Sequence, residues 1–185
     1  MTSNLPDFPS HYEAAGNLPA EPNAFIGRER DLADLVSMLG RVRELTLCGP
    51  GGIGKTRLAL KLAASLAKDY PDGVWIADLA DATEPERLIP LVTAALGIRA
   101  EPDRPLADTL AEALRPRTML LVLDTCEHLV QASAELVQRL LSACPRLRVI
   151  ATSREALRVR GEVIWRVPPL GVPAGLVIWA LSVIV

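Results

Sequence analysis

Short, continuous apolar runs alternate along this chain with segments whose apolar positions recur every three or four residues. That alternation is expected of strands buried on both faces and of the helices that cover them. Glu44 to Cys48, Val74 to Leu79, Thr118 to Leu123, Leu147 to Thr152 and Val163 to Val167 are the five predicted strands. Leu32, Leu35, Val36 and Leu39 predict a helix near 29–39, with Gly40 as its stop. Leu58, Ala59, Leu62, Ala63 and Leu66 line one face of a second helix running to about 68, with Arg57, Lys61, Ser65 and Lys68 turned away. Two more are expected at about 84–96, bent at Pro90, and at 106–114. A last helix follows Asp124, buries Leu129, Leu136, Val137, Leu140 and Leu141, and closes at Cys144-Pro145. The order predicts an α/β fold: a doubly wound parallel sheet between two helical layers, with ligands at the carboxyl ends of the strands.

The ends read differently. Pro6, Pro9, Pro19 and Pro22 stand among polar residues, so 1–22 is expected to be an arm or linker and 23–170 the folded domain. From 171 to 185 the chain is nearly all apolar, yet shorter than the roughly 20 residues that span a bilayer. A membrane anchor is therefore not expected; the reading is a chain that stops before its natural continuation. A length of 185 residues suits one domain, and 20 basic against 22 acidic residues, with no long basic run, leave no electrostatic footprint for nucleic acid. Cys48, Cys126 and Cys144 are odd in number, lack metal-ligand spacing and sit in or beside apolar stretches, as reduced buried thiols would. The first residues lack the basic-then-apolar pattern of a secretion signal, so a cytoplasmic location is expected.

The chemistry is concentrated after the first strand. Gly49-Pro50-Gly51-Gly52-Ile53-Gly54-Lys55-Thr56 fits G-x-x-x-x-G-K-[ST], the phosphate-binding P-loop. Glycines let the backbone curl until its N–H groups point inward around a β-phosphate, and the next helix begins with its positive end toward the anion. Lys55 supplies a cation for the β- and γ-phosphates, and Thr56 offers a hydroxyl to Mg²⁺. Arg57, in the first turn beyond, is a further nucleotide-contact candidate. Asp124 closes an apolar strand where the nucleotide's metal would lie, a Walker B arrangement; the bland alternative is a carboxylate capping the next helix. Its neighbour is Thr125 rather than a second acid, so Glu127 is the candidate general base, against a plain helix-start charge. Arg154, in Thr152-Ser153-Arg154-Glu155, would reach the γ-phosphate if its strand lies between the P-loop strand and that of Asp124; otherwise it pairs on the surface with Glu155 or another acid. Arg28 is expected to contact phosphate or shape the adenine pocket, or to be an ordinary helix-start charge. His128 has no metal partner nearby in sequence and reads as structural; Trp75 and Trp165 read as core.

Phe25-Ile26-Gly27-Arg28-Glu29, the Gly49–Thr56 loop, Leu121 to Asp124 with Cys126-Glu127-His128, and Ala151 to Glu155 together resemble the STAND class of signal-transduction ATPases. The likeness is nearest to the NB-ARC-like module of bacterial regulators of the antibiotic-regulatory and LuxR-associated types, and it covers about residues 18–170. It implies a P-loop NTPase fold of the ASCE type that binds ATP or ADP with Mg²⁺. It further implies a switch in which ADP holds a closed form and ATP favours an open, self-associating one. Family members often have Asn after the Walker B Asp where Thr125 stands. They also continue into helical and winged-helix segments, so this chain reads as the nucleotide-binding core alone, hydrolysing slowly or with a partner. Two alternatives stand beside it: a small-molecule P-loop kinase, for which Asp78 or Asp81 could serve as acceptor acid but no Arg-rich lid is evident, and a binding module without turnover.

Overall fold

The computed structural model describes residues 16–19 and 27–169. The tail from 171 and most of the proline-rich arm, with Phe25 and Ile26, lie outside the described residues. In chain order the elements are α1 (Glu29–Leu39), β1 (Glu44–Cys48), α2 (Lys55–Ser65), β2 (Val74–Asp78), α3 (Pro85–Ala95), α4 (Leu106–Leu114), β3 (Leu120–Asp124), α5 (Val130–Ala143), β4 (Arg148–Ser153) and β5 (Val163–Arg166). All strand pairs are parallel, and the sheet order is β2-β3-β4-β1-β5. The fold is thus the doubly wound α/β/α arrangement, with the fourth strand between the P-loop strand and that of Asp124.

Alternation along the strands decides which helix covers which face. Leu45, Leu47, Leu120, Val122 and Ile150 turn toward Leu35 and Leu39 of α1 and Leu58 and Leu62 of α2. Leu121, Leu123, Val149 and Ala151 turn the other way, onto Leu88 and Val92 of α3, Leu110 and Leu114 of α4, and Leu136, Val137 and Leu140 of α5. With apolar side chains on both faces, β3 can sit only in the interior of a covered parallel sheet. Pro85 starts α3, where its missing N–H costs nothing, while Pro90 lies inside the same helix. Cys48, Cys126 and Cys144 are buried and unpaired. Burial pushes the Cys126 thiol up to about 12, which removes it as a nucleophile.

Element ends fall within three residues of the periodicity, except at the start of α5. The second helix stops at Ser65, and a 3-10 turn covers Ala67–Asp69. Thr125 adopts φ 64 after β3, so a 3-10 turn over Cys126–His128 intervenes before α5. Gly16 bridges Val74, and Asn17 Nδ2 donates to Ile76 O at 2.9 Å while Oδ1 accepts from Ile76 N at 2.7 Å. The side-chain amide of Asn17 therefore occupies the outer edge of β2 as a peptide group would.

Glu44 begins β1 only 2% exposed. Thr46 donates to its Oε1 at 2.7 Å, whereas Oε2 is buried without a partner. Burial, with Glu162 nearby, raises its carboxyl to about 7. The folded chain then holds a proton that the unfolded chain has released, so stability falls as pH climbs from the ordinary carboxylate range to about 7 and is level above. Glu44→Gln removes that penalty. Urea midpoints should show the variant more stable than the parent at pH 8, by up to about 3 kcal/mol, and equal to it below about pH 4. An equal difference at both pH values would show that Glu44 is ionised throughout.

Candidate functional site

The loop from Gly49 to Gly54 joins the carboxyl end of β1 to the amino end of α2. Gly52 and Gly54 have φ of 77° and 94°, and a Cβ at either would meet nothing within 4 Å. The glycines are therefore required by backbone twist, not by crowding. Gly49 N donates to Ser153 O at 3.2 Å, which fixes the loop's first residue to the end of β4. Lys55 is 8% exposed, and its Nζ donates to Gly49 O at 3.0 Å and Pro50 O at 3.2 Å, curling the ammonium back across the loop.

Beside this loop lies a cluster of hydroxyls around one carboxylate. Asp124 is 5% exposed at the end of β3. Thr56 Oγ1 donates into it, 2.8 Å from Oδ1 and 2.9 Å from Oδ2. Thr152 Oγ1 donates to Oδ1 at 2.5 Å and accepts from Thr125 N at 2.9 Å. The second interaction helps hold Thr125 in its left-handed conformation and turns the chain toward Glu127. The oxygen-only donor set of Thr56 and Asp124 suits a hard divalent cation, which the residues present could therefore accept.

Glu127 Oε1 lies 3.3 Å from Arg154 Nε. The glutamate side chain is 12% exposed and the arginine 64%. Glu127 Oε2 is buried without a partner. A Cβ placed on Gly51 would lie 3.6 Å from Arg154 Nη2, so the guanidinium reaches from Glu127 back over the P-loop. Arg154 thus pairs with an acid, but with Glu127 at the loop's mouth rather than its neighbour Glu155. Arg28 is 6% exposed. Its Nη2 donates at 2.9 Å to Ile53 O in the loop and at 2.9 Å to Pro168 O beyond β5, and its Nη1 lies 3.3 Å from Asp31. Replacing Arg28 with Ala should cost roughly 2–4 kcal/mol in urea unfolding, since carbonyls of two segments lose a charged donor; a loss below about 0.5 kcal/mol would make it a plain surface charge.

Arg57 lies exposed on the first turn of α2, and His128 is exposed on the 3-10 turn after Asp124. Trp75 and Trp165 are half-buried and pack against opposite faces of the core. The structure therefore gathers Lys55, Thr56, Asp124, Glu127 and Arg154 at one end of the sheet and uses Arg28 to brace the loop from behind. The sequence reading missed Thr152. Its polar side chain at the end of an otherwise apolar strand was the available signal.

Residues 24–151 match the family profile described as an AAA ATPase domain. The chain is 42% identical over 147 residues to an uncharacterised protein of Mycobacterium tuberculosis, covering 80% of this chain and 37% of that protein. It is 44% identical over 136 residues to a provisionally named HTH-type transcriptional regulator of the same organism, covering 74% of this chain and 15% of the regulator. Regulatory protein AfsR of Streptomyces griseus is 33% identical over 153 residues, with 74% and 15% covered. The chain thus spans little more than a third of the first of these relatives and about a seventh of the two regulators. Among solved structures, a Walker-type ATPase of Pyrococcus abyssi superposes with a TM-score of 0.53 at 17% identity, covering 75% of this chain and 53% of that one. No helix among the described residues is long and apolar enough to cross a membrane.

Proposed function

The chain belongs to the AAA ATPase domain family, and from that premise we propose that it is the ATP- and ADP-binding core of a STAND-class regulatory ATPase. It acts as a nucleotide-dependent switch in cytoplasmic transcriptional regulation, with slow or partner-dependent hydrolysis. The observation that carries this reading is the Thr56 hydroxyl on both oxygens of Asp124 at the point where the P-loop passes into α2. Homology to HTH-type and AfsR-type regulators supports the regulatory half.

In this reading Gly51 to Gly54 present main-chain N–H groups to the phosphates, and Lys55 exchanges its two loop carbonyls for phosphate oxygens. Thr56 and Asp124 would hold Mg²⁺, which supplies charge neutralisation along the polyphosphate. Glu127 orients or deprotonates water, and Arg154 senses the terminal phosphate. Arg57 flanks the phosphates, and Arg28 keeps the loop seated. The hydroxyl of Thr125 stands where many P-loop ATPases place a second carboxylate, which is why slow turnover is expected.

Calorimetry with MgATP and MgADP tests the binding, and phosphate release tests turnover. Saturable binding of both nucleotides with weak release is the expected result. Absence of binding by folded protein would end the proposal, and phosphate transfer that depends on an added small-molecule acceptor would replace it with a kinase.

A further inference from the structure

Three Arg-x-Arg pairs, Arg41-Val42-Arg43, Arg115-Pro116-Arg117 and Arg146-Leu147-Arg148, lead into β1, β3 and β4. Since every strand is parallel, all six arginines gather at the pole opposite the P-loop. Four of the connecting segments there, 40–43, 66–73, 115–118 and 144–148, hold seven basic and two acidic side chains in a chain whose totals are 20 and 22, with Glu162 before β5 at the same pole. None of the six takes part in an ion pair among the described residues.

Part of this charge serves the fold. Arg43 donates to Leu141 O at 2.5 Å and Pro145 O at 3.1 Å, at the end of α5. Arg148 donates to Leu39 O, Val42 O and, at 3.2 Å, Gly40 O, at the end of α1. These are the negative ends of helix dipoles, where cations are favoured. Arg41 and Arg115 are exposed and, among the described residues, are not used in this way, and Arg146 reaches only Pro116 O there. Capping therefore accounts for two of the six.

The segments enclose a cavity of about 450 Å³, walled by Arg43, Arg146 and Arg148 over an apolar floor of Leu66, Tyr70 and Leu147, with Asp69 at its side. Its volume is within the range that holds a ligand group. Guanidiniums fastened to main-chain carbonyls are already ordered, so engaging an anion with their remaining N–H groups costs little further side-chain freedom. A recess with a greasy floor and a cationic wall fits a carboxylate side chain beside an apolar one. A duplex backbone would need projecting side chains on an open surface instead.

We propose that this pole docks an acidic segment of a partner protein, its carboxylates on the arginine wall and an apolar neighbour against Leu66 and Tyr70. The site is remote from the P-loop, so docking there leaves the nucleotide face open.

Fluorescence anisotropy of the full chain with a labelled peptide of alternating Glu and Leu tests this, beside a Gln/Leu peptide and a labelled 20-base-pair duplex. The Glu/Leu peptide should bind at low salt, weaken steeply with added salt, and bind about tenfold less tightly to Arg115→Glu/Arg146→Glu. Arg87→Glu, on the first turn of α3 at the other pole, should leave it unchanged. Should the double variant fail to melt cooperatively, Arg146→Gln alone, at the exposed position of the wall, replaces it. No peptide binding, equal binding of the Gln/Leu peptide, indifference to the variants, or preference for the duplex would each overturn the proposal.

Discussion

Lys55→Ala should lower ATP affinity by roughly 10- to 100-fold, the loss expected when a charge-assisted contact to phosphate disappears. The ammonium sits at the neck of the loop, bound to Gly49 O at 3.0 Å and Pro50 O at 3.2 Å and almost shielded from solvent. Those carbonyls can turn to water when the side chain is removed, and the helix that follows keeps its apolar face, so the fold should survive. Thermal melting within a few degrees of the parent, together with the loss of affinity by calorimetry, is the required pair of results. Lys68→Ala, beyond the end of α2, should leave affinity untouched. Undiminished binding by Lys55→Ala would mean that nucleotide, if bound, sits elsewhere.

Asp124→Asn should separate binding from turnover. The carboxylate receives hydroxyl protons from Thr56 and Thr152, and a carboxamide oxygen can keep one such bond while the other hydroxyl rotates to accept from the new NH₂. Packing around the end of β3 therefore changes little. What is lost is a full negative charge positioned beside the Thr56 hydroxyl, and a cation held there would be held less firmly. Phosphate release should fall by roughly 100-fold or more, while nucleotide affinity measured without added magnesium shifts by less than about threefold. Turnover that persists at the parental rate would remove Asp124 from the metal site.

How much of this was legible follows from which interactions are local. The P-loop motif could be read outright because its glycines, lysine and threonine lie within eight consecutive residues, and the loop between β1 and α2 follows from that local spacing. The strands were legible for a similar reason: continuous apolar runs such as Leu120 to Leu123 leave no polar face to expose. Arg154 was placed only conditionally, since its proximity to the loop required β4 to lie between β1 and β3, an order that periodicity does not encode. Its ion pair with Glu127, and the Thr152 hydroxyl on Asp124, both cross that same strand pair and so stayed hidden. Arg28 is the extreme case. It bonds carbonyls 25 and 140 residues away, and nothing in its surroundings along the chain distinguishes a brace from a helix-start charge. Thr125 was noticed for the side chain it lacks, whereas its left-handed backbone is what delays α5 by a turn and swings Glu127 toward Arg154.

The amide of Asn17 on Ile76 has a consequence for the molecule in solution. A parallel sheet ends in a row of unsatisfied main-chain groups, and a neighbouring chain can add itself there to start a fibre. On the β2 margin that invitation is withdrawn by one side chain, which both gives and accepts a hydrogen bond at the middle of the strand and also grips Ala95 O at 3.2 Å. A segment that composition marks as a mere tether thereby acts as a selvedge, keeping the fabric of the sheet from unravelling into its neighbours.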